Sequence, residues 1–226
     1  MTQLLNRSLI MLLKSNIIVQ DVQSYVVQFG FEAILKEAIS FDKVDVVKSL
    51  NKLRAVSTTE LFLASSNNAL KVAEWLVETK KANVNMCSEI FKDTPLNSAA
   101  RHGSYKVAEY LIAKGAAVNG YEGALLGPPL YEAVSGKYLN VAKLLLEKGA
   151  AVDQRKSGET PLHAVAKNVR YTSKDIKDDE IYKLLVSYGA DTNAKVEFRR
   201  VGFSIYDGKT VSEIAEFKVA LAGESE

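Results

Sequence analysis

The sequence predicts an all-α solenoid: stacked helix–turn–helix repeats with short β-hairpin turns between them, and one lengthened hairpin near the C-terminus. Three observations carry this. The pentapeptide "KGAAV" occurs at residues 114–118 and again at 148–152, 34 residues apart. In that register "TPLNSAARHGSYKVAEYLIAKGAAVN" (94–119) aligns with "PPLYEAVSGKYLNVAKLLLEKGAAVD" (128–153). Each unit also reads as a short helix, a small-residue turn and a second apolar-periodic helix. A catalytic site needs one copy of its residues, so duplication at a fixed interval points to architecture.

The elements follow in order. Val22, Tyr25, Val26 and Phe29 share one face in the opening thirty residues, which read as a helical cap over 1–30. "LKEAISFDKVDVVKSL" (35–50) keeps the apolar spacing of a repeat and little else, and falls in a first unit over 31–56. "TELFLASSNNALKVAEWLVETKKANVN" (59–85) lies in a second unit, 57–91, with Lys81 where a glycine is expected. The third unit, 92–125, has Pro95 in the first turn of its first helix, where a missing N–H costs little. Val107, Ala108, Leu111 and Ile112 stripe one face of its second helix. Gly115 and Gly149 stand just past second helices, where the backbone turns left-handed and a β-carbon is penalised. The fourth unit spans 126–157, with Pro128 in place of threonine. A fifth, 158–205, opens on "TPLHAVA" and closes on "IYKLLVSYGADTN". "GKTVSEIAEF" then restarts a first helix within a C-terminal cap and tail, 206–226. Leu111 and Leu145 are expected to be buried in one continuous core, because stacking supplies the apolar neighbour that a single pair lacks.

The Thr-Pro-Leu-His signature at 160–163, the Thr-Pro-Leu at 94–96, the Gly-Ala endings at 115–116 and 189–190 and the period near 33 together resemble the ankyrin repeat. The match is strong over about 93–193 and extends weakly from about 31 to 217. The resemblance implies ankyrin-type stacking, a concave side built by first helices and hairpin turns, and a structural hydrogen-bonding role for His163.

Composition sets further limits. The chain has 226 residues, 47% of them hydrophobic, with 29 basic and 27 acidic side chains giving a net charge of +2. That balance argues against a nucleic-acid footprint. The single cysteine, Cys87, excludes an internal disulfide framework and a cysteine cluster for zinc. The apolar run "SLIMLL" is stopped by Lys14 and is too short to span a bilayer, so a cytoplasmic chain without membrane contact is expected. Catalytic motifs are not met. "DGKT" (207–210) has Phe203 where a phosphate loop needs glycine. "GYEGALLG" (120–127) lacks dinucleotide-loop spacing, and neither His102 nor His163 has a partner at metal-ligand spacing.

Function is therefore expected in recognition: no enzyme, no cofactor, no metal, no nucleic acid, and a monomer that binds another protein. At the positions ankyrin proteins use for binding stand Phe91, Asp93, Arg101, His102, Tyr121, Leu125, Lys156, Glu159, Lys167, Tyr206 and Lys209. Charge reversal at Arg101 is expected to weaken binding with little change in stability. Two insertions add candidates. Tyr171 lies in 168–178, and Arg199 and Arg200 lie near the reversal of a hairpin over 194–208 whose arms alternate Val196, Phe198 and Val201, Phe203, Ile205. The rivals are an enzyme or enzyme-regulatory domain whose site those insertions build, and nucleic-acid binding around Arg199 and Arg200. The resemblance also extends to ankyrin proteins that intracellular bacteria deliver into host cells.

Overall fold

The computed structural model describes residues 22–89, 91–121, 127–168, 176–197 and 207–216. Helix α1 (Val22–Phe29) is followed by five helix pairs: α2 (Phe31–Ser40) with α3 (Val44–Leu53), α4 (Glu60–Ser66) with α5 (Leu70–Glu78), α6 (Pro95–Arg101) with α7 (Tyr105–Ala113), α8 (Pro129–Ser135) with α9 (Leu139–Glu147), and α10 (Pro161–Asn168) with α11 (Glu180–Ser187). A 3-10 turn, Ile176–Asp178, precedes α11, and residues 211–216 are helical. First helices pack on first helices and second on second along the series, while α1 covers α2 and α3.

Local chemistry explains the boundaries. Thr94 caps α6 by accepting the Asn97 amide at 3.1 Å, and Pro95 follows at the first helical position. Asp179 caps α11 by accepting the amides of Ile181 (2.8 Å) and Tyr182 (3.1 Å). The second helices α7, α9 and α11 end at left-handed residues: Gly115, Gly149 and Gly189 have φ near +86° to +87°. Lys81, the departure noted in the sequence, adopts the same left-handed backbone with φ +57°.

One apolar cluster runs through all five pairs. Leu111 and Leu145 are both fully buried in it, together with Ile34, Leu50, Leu61, Leu76, Leu96 and Leu130. Neighbouring units are also stitched by side chains reaching one repeat onward. Asn85 accepts the Ala117 amide (2.8 Å), Asn119 that of Ala151 (2.8 Å), and Asp153 that of Asp191 (3.1 Å).

Among the described residues two isolated antiparallel bridges occur, Lys156 with Glu159 and Lys195 with Thr210, and no strand. Lys156 and Glu159 exchange both backbone bonds, at 2.9 and 3.0 Å, around Ser157 and Gly158, both at positive φ. Of the hairpin expected over 194–208, the base is described: Val196 N–H donates to Lys209 (3.0 Å) and Gly208 N–H to Val196 (3.1 Å). Of its expected arms Val196 is described, while Phe198, Val201, Phe203, Ile205 and the reversal lie outside the described residues.

Candidate functional site

First helices and inter-repeat loops place six charged side chains in one ladder. Arg101, on the last turn of α6, donates through Nε to Glu132 of α8 at 2.9 Å. Its two terminal nitrogens reach Asp93, on the loop before α6, at 3.3 and 3.4 Å. Glu132 also accepts from Lys156 Nζ (2.7 Å) and from the Gly127 amide (2.9 Å), closing the start of a helix that has no side-chain cap of its own. Lys156 sits 5.1 Å from the ring centre of Tyr131, and the Tyr131 hydroxyl donates to Glu159 at 2.8 Å. Lys167 on α10 bonds both oxygens of Glu159, at 2.9 and 3.0 Å.

The carboxylates differ in electrostatics. Burial pushes Glu132 up, but hydrogen bonds from Lys156 and Arg101 outweigh it and hold its carboxyl below the usual range. Burial also pushes Asp93 up, and the Arg101 charge offsets this only in part, so its carboxyl stays above the usual range. Tyr131 is raised by burial and by Glu159. This arrangement fixes the relative positions of α6, α8 and α10. No group of three or more potential metal ligands occurs among the described residues.

Beside the ladder, two aromatic rings lie open. Phe91 is 50% exposed and Tyr121 42%, on consecutive inter-repeat loops. The Tyr121 hydroxyl donates to the carbonyl of Asn85 at 2.7 Å, tying its loop to the preceding one. His102, exposed just after α6, pairs its Nδ1 with the Ser98 carbonyl at 2.8 Å.

The family described as "Ankyrin repeats (3 copies)" matches residues 24–122 and 125–196, most of the chain. The chain belongs to the ankyrin-repeat family. An ankyrin repeat protein of Rickettsia conorii is 81% identical over 75 residues, 33% of this chain and 94% of that protein. Ankyrin repeat and SOCS box protein 9 of Mus musculus is 37% identical over 102 residues, 45% of this chain and 32% of that protein. Ankyrin repeat and SOCS box protein 11 of the same species is 36% identical over 107 residues, 47% of this chain and 30% of that protein. The chain thus spans about a third of the length of these two SOCS-box relatives. Ankyrin repeats are generally protein–protein interaction modules and typically non-enzymatic. No helix among the described residues is long and apolar enough to cross a membrane.

Against this ankyrin frame, the candidate residues separate into groups. Asp93 and Glu159 are buried, and Arg101, Lys156 and Lys167 are partly buried, all engaged in the ladder. Phe91, His102 and Tyr121 are exposed, and the Lys209 carbonyl accepts the Val196 amide at 3.0 Å. Leu125, Tyr171, Arg199, Arg200 and Tyr206 lie outside the described residues, and with them most of the two insertions on which the enzyme and nucleic-acid readings rest. One expectation is overturned. Reversing Arg101 would set a carboxylate against Asp93 and Glu132, both buried, so it must cost stability as well as any binding. Glu132 and Tyr131 were missed from sequence. The sequence does repeat Asp93 with Arg101 and Glu159 with Lys167, opposite charges eight residues apart at equivalent positions, but that recurrence points to neither Glu132 nor Tyr131.

His163 is fully buried, and its Nδ1 accepts the Thr160 amide at 3.1 Å and pairs with the Thr160 hydroxyl at 2.7 Å. Its other edge faces backbone of Ala194 and Lys209 in the following loop. Its Nε2, also buried, has no hydrogen-bond partner among the described residues, so the bonds seen stay within the Thr160–His163 turn and the loop-to-loop bond that the resemblance implies is not shown.

Proposed function

We propose that the chain is a non-catalytic recognition module that binds a partner protein through its loop-tip and first-helix face, with Phe91 and Tyr121 at the centre of contact. The supporting observation is that two large aromatic rings are open on consecutive loops, each mounted on a scaffold held rigid by the ion ladder and the shared core. Aromatic side chains dominate binding energy in interfaces, and a preassembled surface loses little entropy on docking. The chain acts as a monomer in this reading. In the same reading the partner is a host-cell protein, by analogy with the ankyrin proteins that intracellular bacteria deliver into host cells.

The test is affinity capture with the full chain as bait, repeated with a Phe91→Ala/Tyr121→Ala double variant. The variant should lose the captured protein while its unfolding free energy changes by no more than about 1 kcal/mol, as for two exposed sites. Undiminished capture removes this face from the reading. Capture from bacterial lysate alone, never from animal-cell lysate, removes the host assignment.

A further inference from the structure

We propose that Asp93 anchors a cationic side chain of the partner, an arginine or lysine that docks beside Phe91. This rests on the partner-binding reading above and adds the partner's chemistry to it.

Two carboxylates at equivalent repeat positions carry the argument. Asp93 and Glu159 each immediately precede the threonine that opens a first-helix segment, Thr94 or Thr160, and each faces a cation eight residues on. Glu159 is well satisfied: Lys167 bonds both oxygens at 2.9 and 3.0 Å, Tyr131 adds a bond at 2.8 Å, and 7% of the side chain is exposed. Asp93 is not. Arg101 reaches it at only 3.3 and 3.4 Å, because the same guanidinium is drawn to Glu132 at 2.9 Å. Glu132 also adds like charge, and burial keeps the Asp93 carboxyl above the ordinary aspartate range.

Asp93 is thus a desolvated anion with loosely held donors, and 12% of its side chain remains open to an incoming group. A second cation would shorten its hydrogen bonds and offset the desolvation already incurred. Phe91, two residues earlier on the same loop and half exposed, supplies a ring against which a guanidinium or an aliphatic stem can lie. Charge complementarity and the adjacent ring therefore select the same occupant.

The experiment is selection of a displayed random-peptide library on the full chain, followed by affinity measurement with synthetic copies of the recovered peptides. Recovered peptides should share an Arg or Lys next to an apolar residue. Replacing that Arg with citrulline, or Lys with norleucine, should weaken binding about tenfold or more. Asp93→Asn should do the same in a chain that circular dichroism shows to be folded. The peptide exchange leaves the protein untouched, so it decides the matter even if Asp93→Asn fails to fold. Peptides that ignore the loss of charge but lose binding to Phe91→Ala overturn this inference and leave the interaction face standing. Peptides indifferent to both changes, or a library that yields none, overturn both.

Discussion

Glu132 is the side chain on which α6, the loop before α8 and the loop before α10 meet. It takes donors from α6, from its own loop and from the following loop, at 2.7 to 2.9 Å, and is 5% exposed. Removing it strands Arg101 and Lys156 in a partly desolvated setting. Glu132→Ala should cost about 3–5 kcal/mol in chemical denaturation, the range for breaking a buried pair; a loss under about 1 kcal/mol would mean that water replaces the carboxylate without penalty. His163 gives a prediction in pH. Burial, the largest cause, holds its imidazole below the ordinary value of 6.5, although the Ala194 and Lys209 backbone and Glu159 oppose this. The unfolded chain then binds the proton more readily, so this contribution to stability is complete above pH 6.5 and is lost as the pH falls through the folded-state value. The melting temperature should drop between about pH 7.5 and 5.5, and by less in His163→Asn. Equal slopes in the two proteins would exclude the imidazole as the source.

At the scale of the element, the ends of the second helices show what the sequence revealed and what it hid. The glycines at 115, 149 and 189 marked helix ends because only a left-handed residue satisfies that geometry cheaply. Lys81 keeps the geometry and bears the steric cost. Lys81→Gly should therefore stabilise the chain by about 1 kcal/mol, read from the denaturation midpoint; no gain would mean that its side chain repays the strain elsewhere. Helix pairing was legible for a similar reason, since Leu111 and Leu145 lie on stripes whose period is local. The ladder was not legible as a ladder. Arg101 and Glu132 are 31 residues apart, and Glu132 has no charged counterpart at residue 98, where α6 carries Ser98. A single charge in one unit leaves no periodic trace. Exposure was equally hard to read: Phe91 and Asp93 stand two residues apart on one loop, the first open and the second buried.

For the whole molecule, a core shared only between neighbours makes stability a sum of adjacent terms. Leu145→Ala should cost about 2–5 kcal/mol, because the side chain is fully buried. Its effect should be local. Amide exchange should quicken in α8 to α11 and leave α2 and α3 little changed. Uniform acceleration along the chain would show a single cooperative globule. The same neighbour-only logic explains why the ladder, spanning α6 to α10, stiffens the central units and why exposed aromatic residues mounted there can serve as fixed contacts.

The stitches from Asn85, Asn119 and Asp153 each grip a single amide in the unit that follows. Pulled from its two ends, such a chain behaves as a row of catches in series. Load reaches one catch after another, so modules peel away stepwise and the molecule yields as an extensible spring.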